Sequence, residues 1–126
     1  MIEKTHFVAG TMIALILAGL CTLVHAAMAV PKGYVVAEIT VTDPEAYKAY
    51  VAKVGPLVAH FGGKYLVRGG QTAALEGEPP KGRVVVIEFD NMQAARAFEE
   101  SSEYAAVAGL RHKSATSRVF LVEGAS

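Results

Sequence analysis

Three charged side chains sit in segments that otherwise have the composition of β-strands: Glu38, Arg68 and Glu88. A carboxylate crowded by a second carboxylate has its pKa raised toward the range of a general acid or base, and an arginine beside them would bind an anionic or enolate-like oxygen. If their strands are neighbours, these residues form a candidate catalytic site. The alternative is a buried ion network with a structural role, in which loss of one partner typically costs about 3–5 kcal/mol.

His60 is a fourth candidate, because it directly precedes the turn Phe61-Gly62-Gly63. It flanks the apolar stripe of the preceding helix and from there can reach the mouth of a pocket as an acid or base. The alternative is a surface histidine stabilised by the negative end of the helix dipole. His112, within Arg111-His112-Lys113, is expected at a solvated helix end.

The strands that carry these residues are predicted from the alternation of side chains. Residues 34–41 place an apolar set on one face (Val35, Ala37, Ile39, Val41) and a mixed set on the other (Tyr34, Val36, Glu38, Thr40). The second strand ends at Arg68, which alternation places on the face of Leu66, and residues 71–75 continue it beyond a bulge. Residues 83–89 form a central strand and residues 117–122 the last one.

Helices are predicted between these strands. Asp43 caps the first helix and Pro44 suits its first position. This helix runs to about Phe61, with a kink at Gly55-Pro56 and one apolar stripe (Tyr47, Tyr50, Val51, Val54, Leu57, Val58, Phe61), which identifies the tyrosines as core residues. A second helix covers residues 92–100 and a short one restarts after Ser101-Ser102. The order βαββαβ predicts an α+β ferredoxin-like sandwich.

The motifs Asp43-Pro44-Glu45-x-Tyr47-x-x-Tyr50, Phe61-Gly62-Gly63-x-Tyr65-Leu66-Val67-Arg68-Gly69-Gly70, 83–89 (RVVVIEF) and Ser102-x-Tyr104 resemble the family called domain of unknown function 1330. The resemblance covers residues 33–124. It implies a dimeric α/β barrel, in which two ferredoxin-like protomers pack their open sheet faces together. Relatives in that superfamily include cofactor-independent monooxygenases and isomerase-like enzymes, so the resemblance implies a fold and a homodimer rather than a reaction.

The N-terminal segment predicts export. An uncharged run over residues 7–24 is followed by small residues that suit signal-peptidase cleavage after Ala26 or Ala29. We therefore expect a signal peptide over residues 1–29 and a periplasmic or secreted domain. The alternative is an uncleaved membrane anchor. The single cysteine, Cys21, lies within this segment, so the mature domain is expected to have no disulfide.

The amino-acid composition limits the classes of partner and cofactor that we expect. The 12 basic and 12 acidic residues balance, without a basic run, so nucleic acid is not an expected partner. Neither a metal set nor a phosphate-binding loop is apparent, and no cofactor is expected. Two hypotheses remain: a cofactor-independent enzyme that acts on a small organic acid or carbonyl compound, and a non-catalytic ligand-binding or structural dimer.

Overall fold

The computed structural model describes residues 29–126. The predicted signal peptide, apart from Ala29, lies outside the described residues. Within residues 29–126, no helix is long and apolar enough to cross a membrane.

The described chain has the predicted βαββαβ order, with two helices in the connection between the third and fourth strands. Its elements are β1 (Gly33–Val41), α1 (Pro44–His60), β2 (Lys64–Arg68), β3 (Arg83–Phe89), α2 (Met92–Glu99), α3 (Ser102–Ser114) and β4 (Ala115–Glu123). The sheet is antiparallel in the order β2-β3-β1-β4, so β1 and β3 are the central neighbours, as predicted. This is the ferredoxin-like α+β fold.

Side-chain caps begin all three helices. The Asp43 carboxylate accepts a hydrogen bond from the Ala46 amide at 3.2 Å, and Asn91 and Ser101 do the same for Ala94 and Tyr104. Each cap satisfies one amide that has no partner inside its helix. Helix α1 continues through Pro56 as a single element.

The core lies between one face of the sheet and the helices. Val35, Ala37 and Ile39 of β1 are at most 5% exposed and face the buried side chains of α1. Phe89 of β3 stacks on Phe98 of α2, with ring centroids 5.4 Å apart. The helices therefore cover the apolar face of β1, as its alternation predicts.

The opposite sheet face is open. It exposes four large apolar side chains, Leu66, Val67, Phe120 and Val122, each at 40–47%. The half-buried residues Val36, Val84 and Val86 of the two central strands lie on the same face. We call this surface the open sheet face.

Two strand predictions were wrong in extent. Residues 71–75 form no strand, and the whole segment from Gly70 to Gly82 is irregular and largely exposed. Gly77 and Gly82 adopt positive φ there, which suits turns rather than strand pairing. The last strand is longer than predicted, because it begins at Ala115, directly after α3.

Candidate functional site

Glu38 and Glu88 share the open sheet face but do not form a pair. In the register of β1 and β3, Glu38 lies opposite Val84, whereas Glu88 lies opposite Tyr34. This offset of four positions separates the two carboxylates by roughly 13 Å along the strands. The predicted proximity of the two acids was therefore wrong, since adjacency of strands does not fix register.

Each of these glutamates has a different partner. Glu38 pairs with Arg118 of β4, with 2.7 Å between Oε2 and Nη2. Glu88 accepts a hydrogen bond from the Tyr34 hydroxyl at 3.3 Å. Neither arrangement crowds one carboxylate against another.

Arg68 lies on the opposite face of the sheet from both glutamates. A β-bulge between Tyr65 and Val67 shifts the register, so that Arg68 pairs with the buried Val85. The extra residue of a bulge reverses the alternation beyond it, which is why the prediction placed Arg68 on the wrong face. The Arg68 guanidinium instead covers the Tyr65 ring, 4.1 Å from its centroid, on the helix side.

His60 is exposed at the last residue of α1 and lies edge-on to Phe61, with ring centroids 5.5 Å apart. It is not among the residues that line the cavity described next. The structure thus brings none of the four predicted residues together.

A small cavity of about 40 Å³ lies between the sheet and the helices. Its polar lining combines tyrosines, arginines and one acid: Tyr47, Tyr50, Tyr65, Tyr104, Arg68, Arg83, Arg111 and Glu99. We call it the tyrosine–arginine cavity. Apolar side chains of β1, β3 and α1 complete its wall.

Each arginine of the cavity stands over a tyrosine ring. Besides Arg68 over Tyr65, the Arg83 guanidinium lies 5.7 Å from the Tyr47 centroid, and that of Arg111 lies 5.8 Å from the Tyr50 centroid. Cation–π attraction holds a guanidinium in place without neutralising its charge. The arginines therefore keep their capacity to attract an anion.

Arg111 is the most buried of the three arginines, at 6% exposure. Its Nη2 donates to the Tyr104 hydroxyl at 3.2 Å and its Nη1 donates to the Ser117 hydroxyl, but its buried Nε has no hydrogen-bond partner. Among residues 29–126, no carboxylate lies within salt-bridge distance of Arg111. A buried cation without an ion-pair partner is costly, since its hydration is only partly replaced, although the charge of Glu99 acts on it from beyond salt-bridge distance.

Arg83, like Arg111, has a buried Nε without a hydrogen-bond partner and forms no salt bridge in the described chain. It lies at the start of β3, donates weakly to the Arg68 carbonyl oxygen at 3.5 Å, and its buried Nε also lacks a partner. No salt bridge to Arg83 or Arg68 occurs in the described part of the chain. Positive charge is thus concentrated around one small cavity.

Three tyrosines of the cavity, Tyr47, Tyr50 and Tyr65, are hydrogen-bond donors at neutral pH. Burial raises the pKa of Tyr47, Tyr50 and Tyr65, and it outweighs the opposing effect of the neighbouring arginines. A phenol that stays protonated can donate to an oxygen of a ligand. Guanidinium and phenol groups together form a lining that favours a ligand whose oxygens accept hydrogen bonds.

Glu99 is the exception among the described residues that line the cavity, because it alone is acidic. It ends α2 and is partly buried. Burial raises the pKa of its carboxyl, while the charge of Arg111 lowers it to a smaller extent. The cavity therefore combines several donors with one carboxylate that is a stronger base than usual.

Sequence patterns could have located part of this site. Tyr47 and Tyr50 were predicted as core residues, and they are 6% and 7% exposed. Arg111 was assigned to a solvated helix end, yet only its neighbours His112 and Lys113 are exposed. It lies seven residues after Tyr104 and therefore on the buried side of α3. That spacing is the signal which identifies it.

The sequence pattern of the family described as "Domain of unknown function (DUF1330)" matches residues 32–125. The chain belongs to the DUF1330 family. The match spans every helix and strand described above. None of the curated proteins matches the chain.

Solved structures are similar to this DUF1330 protein, and two of them share its fold at a TM-score of 0.61. A protein of unknown function from Rhodopseudomonas palustris superposes with a TM-score of 0.61 at 19% identity, over 76% of this chain and 84% of that chain. Its methylated form gives a TM-score of 0.61 at 18% identity, over 86% and 91%. SnoaB, a cofactor-independent oxygenase from Streptomyces nogalater, gives 0.49 at 17% identity, over 76% and 95%.

Among residues 29–126, no three His, Cys, Asp or Glu side chains come close enough together to hold a metal ion.

Proposed function

We propose that this DUF1330 protein binds a small organic acid in the tyrosine–arginine cavity and acts on it as a cofactor-independent enzyme. The observation that carries the proposal is Arg111, a buried guanidinium with an unpartnered Nε and no carboxylate within salt-bridge distance in the described chain. An anionic ligand would supply both the missing acceptor and the missing charge.

The chemistry of the wall favours a carboxylate attached to a short carbon body. A guanidinium presents a planar fork of donors that matches a carboxylate, and a tyrosine hydroxyl can donate to a second oxygen of the same ligand. Apolar groups such as Val54 and Val85 line the rest of the space and suit a carbon body. A ligand with these features fits the site better than a strongly hydrated inorganic anion.

A thermal-shift screen of the purified protein tests this proposal. Acetate, pyruvate and benzoate would be compared with chloride at equal ionic strength, because surface effects of salt are then matched. A small organic acid should raise the melting temperature of the wild type and not that of Arg111→Met. The control is Arg96→Met, which removes an exposed arginine that pairs with Glu100 on α2. A screen with no stabilising acid would contradict the proposal.

The second candidate function is a structural dimer without a ligand. It is favoured by the hydrogen bonds of Arg111, one to Tyr104 within α3 and one to Ser117, which connects α3 to β4. In that case the guanidinium serves to hold elements together, and its removal should cost stability whether or not an acid is present. The two candidates therefore differ in the stability of the Arg111→Met variant.

We also propose that two copies associate through the open sheet face. The exposed Leu66, Phe120 and Val122 support this, because removal of such side chains from water favours association. Homodimerisation is also what the family resemblance implies. Light scattering coupled to size-exclusion chromatography would measure the mass, and a monomer at tens of micromolar would argue against a stable dimer.

Export is proposed from the sequence pattern of residues 1–29. The intact mass of the protein recovered from the periplasm of a Gram-negative host would locate the N-terminus. Masses that begin at residue 27 or 30 are expected, following cleavage after Ala26 or Ala29. An uncleaved chain in the membrane fraction would instead support the anchor.

A further inference from the structure

We propose that Glu99 is the general base of the cavity and removes a proton from the carbon next to the carbonyl group of a short 2-oxo acid. This inference rests on the proposed binding of an organic acid and adds the reaction and the substrate class. Glu99 is the one acid among the described cavity-lining residues, and it lies on α2, whereas the arginines lie on β2, β3 and α3. Base and cations therefore approach a bound ligand from different elements.

Glu99 is free to accept a proton. None of the ion pairs within residues 29–126 involves its carboxylate, although its neighbour Glu100 pairs with Arg96 at 3.2 Å. It also receives no hydrogen bond from the side chains that line the cavity. Its partial burial raises its pKa, which strengthens it as a base while it remains accessible to a ligand in the cavity.

The proton transfer needs no oxidant or reductant. The bond between hydrogen and C3, the carbon beyond the 2-oxo carbonyl, breaks, the proton moves to a Glu99 carboxylate oxygen, and the bonding pair forms the carbon–carbon double bond of an enolate. The carbonyl π electrons move to the carbonyl oxygen, whose charge is stabilised by donors such as the Arg111 guanidinium and the Tyr104 hydroxyl. The Glu99 carboxyl then exchanges its proton with water and returns a solvent-derived proton to C3, so the net reaction is exchange of a C3 proton with solvent.

The size of the cavity limits the ligand. A space of about 40 Å³ corresponds to about three water molecules, at about 10–15 Å³ for each. A space of this size holds a short acid as a whole, so its reacting carbon stays among the residues that line the cavity, Glu99 included. Three- and four-carbon 2-oxo acids therefore suit the site best, and pyruvate and 2-oxobutyrate are suitable probes.

Deuterium incorporation in heavy water, followed by proton NMR, tests the proposal. The purified protein should accelerate loss of the pyruvate methyl signal or the 2-oxobutyrate methylene signal above the rate in buffer alone. Glu99→Gln should lower the protein-dependent rate by at least about 100-fold, the lower range of general-base contributions. It should retain the thermal shift produced by the acid. The matched control, Glu100→Gln, should exchange like the wild type.

The outcomes separate this inference from the proposed function. Exchange that is lost in Glu99→Gln while the thermal shift persists supports Glu99 as the base. A thermal shift that depends on Arg111, without protein-dependent exchange or with equal exchange in Glu99→Gln, overturns the role of Glu99 and leaves the binding site intact. If acetate or benzoate binds but neither oxo acid does, the substrate class is wrong. If no acid binds, the proposed function itself fails.

Discussion

The Arg111 guanidinium donates to the Tyr104 hydroxyl across 3.2 Å, from one turn of α3 to another two turns earlier. Both residues are 6% exposed. This bond aims the guanidinium into the tyrosine–arginine cavity, and because tyrosine is a neutral acceptor, it leaves the positive charge uncompensated. The pair thus holds a buried cation beside the cavity without a carboxylate in contact with it.

Tyr104→Phe should lower the free energy of unfolding by about 1–3 kcal/mol, because it leaves a buried charged donor without its acceptor. Urea unfolding followed by circular dichroism measures this difference. The control is Tyr34→Phe, which removes a half-buried hydroxyl bonded to Glu88 on the open sheet face. Equal costs for the two variants would show that the Tyr104 bond has no special role.

Glu99→Gln should become progressively more stable than the wild type as the pH rises. Burial raises the folded-state pKa of Glu99 above its ordinary value, with the charge of Arg111 as the opposing effect. A raised carboxyl pKa means that the folded state binds the proton more tightly, so stability falls as pH increases from about the unfolded-state value through the folded-state value.

Urea unfolding between about pH 4 and pH 8 checks this sign, because the unfolded-state pKa of glutamate is about 4.3. The difference between Glu99→Gln and the wild type should be smallest at the acidic end and reach a plateau above the folded-state pKa. Glu100→Gln serves as the exposed control. A difference that shrinks with rising pH would mean that Glu99 is stabilised as an anion in the folded protein.

The bulge in β2 is where the prediction of the strands from sequence failed. Helix caps, the apolar stripe of α1 and the βαββαβ order were predictable, because each depends on residues close together in the chain. Arg68 was placed on the wrong face, since a single extra residue within a strand reverses alternation without a clear sequence signal. The pair Gly69 and Gly70 led to the prediction of a bulge after Arg68, whereas the irregularity lies between Tyr65 and Val67.

The candidate site was missed for a different reason. Charged residues within strands were favoured as functional, yet Glu38 and Glu88 belong to the open sheet face and are separated by register. Arg111 and Glu99 lie on helices among apolar neighbours, where a charge is easily assigned to solvent. Their burial depends on how α2 and α3 pack on the sheet, and this tertiary arrangement is not encoded in local pattern alone.

Gly55→Ala should weaken binding of the acid. The usual gain of about 0.5–1 kcal/mol from alanine inside a helix is opposed here, because the Cβ of a residue before a proline is crowded by the proline ring. The methyl carbon of the alanine would lie 3.3 Å from Nη2 of Arg68, so the guanidinium at the edge of the cavity must move. Gly109→Ala in α3 is the matched control, because its methyl group meets nothing within 4 Å.

Urea unfolding and calorimetric titration with pyruvate would be applied to both glycine variants. Gly109→Ala should gain more stability than Gly55→Ala, and only Gly55→Ala should bind pyruvate more weakly. Equal affinity in the two variants would exclude Arg68 from ligand binding.

Phe120→Lys should convert the proposed dimer to a monomer. Phe120 lies on β4, opposite Val36 on the open sheet face, and is 44% exposed. Burial of such a side chain contributes about 1.5–3 kcal/mol, and a lysine there would place a charge in an apolar contact. Light scattering coupled to size-exclusion chromatography gives the mass, with the exposed helix variant Gln93→Lys as control. An unchanged dimer would place the contact elsewhere.

The most direct test of the anion site is urea unfolding of the wild type and Arg111→Met, each with and without pyruvate. Without ligand, the variant should be at least as stable as the wild type, because replacement of an uncompensated buried charge by an apolar side chain removes a desolvation cost. With pyruvate at one hundred times its Kd, the wild type should gain about 2.7 kcal/mol and the variant nothing. A variant that loses about 3–5 kcal/mol without ligand, beside a wild type that pyruvate does not stabilise, would contradict the account and assign Arg111 a structural role.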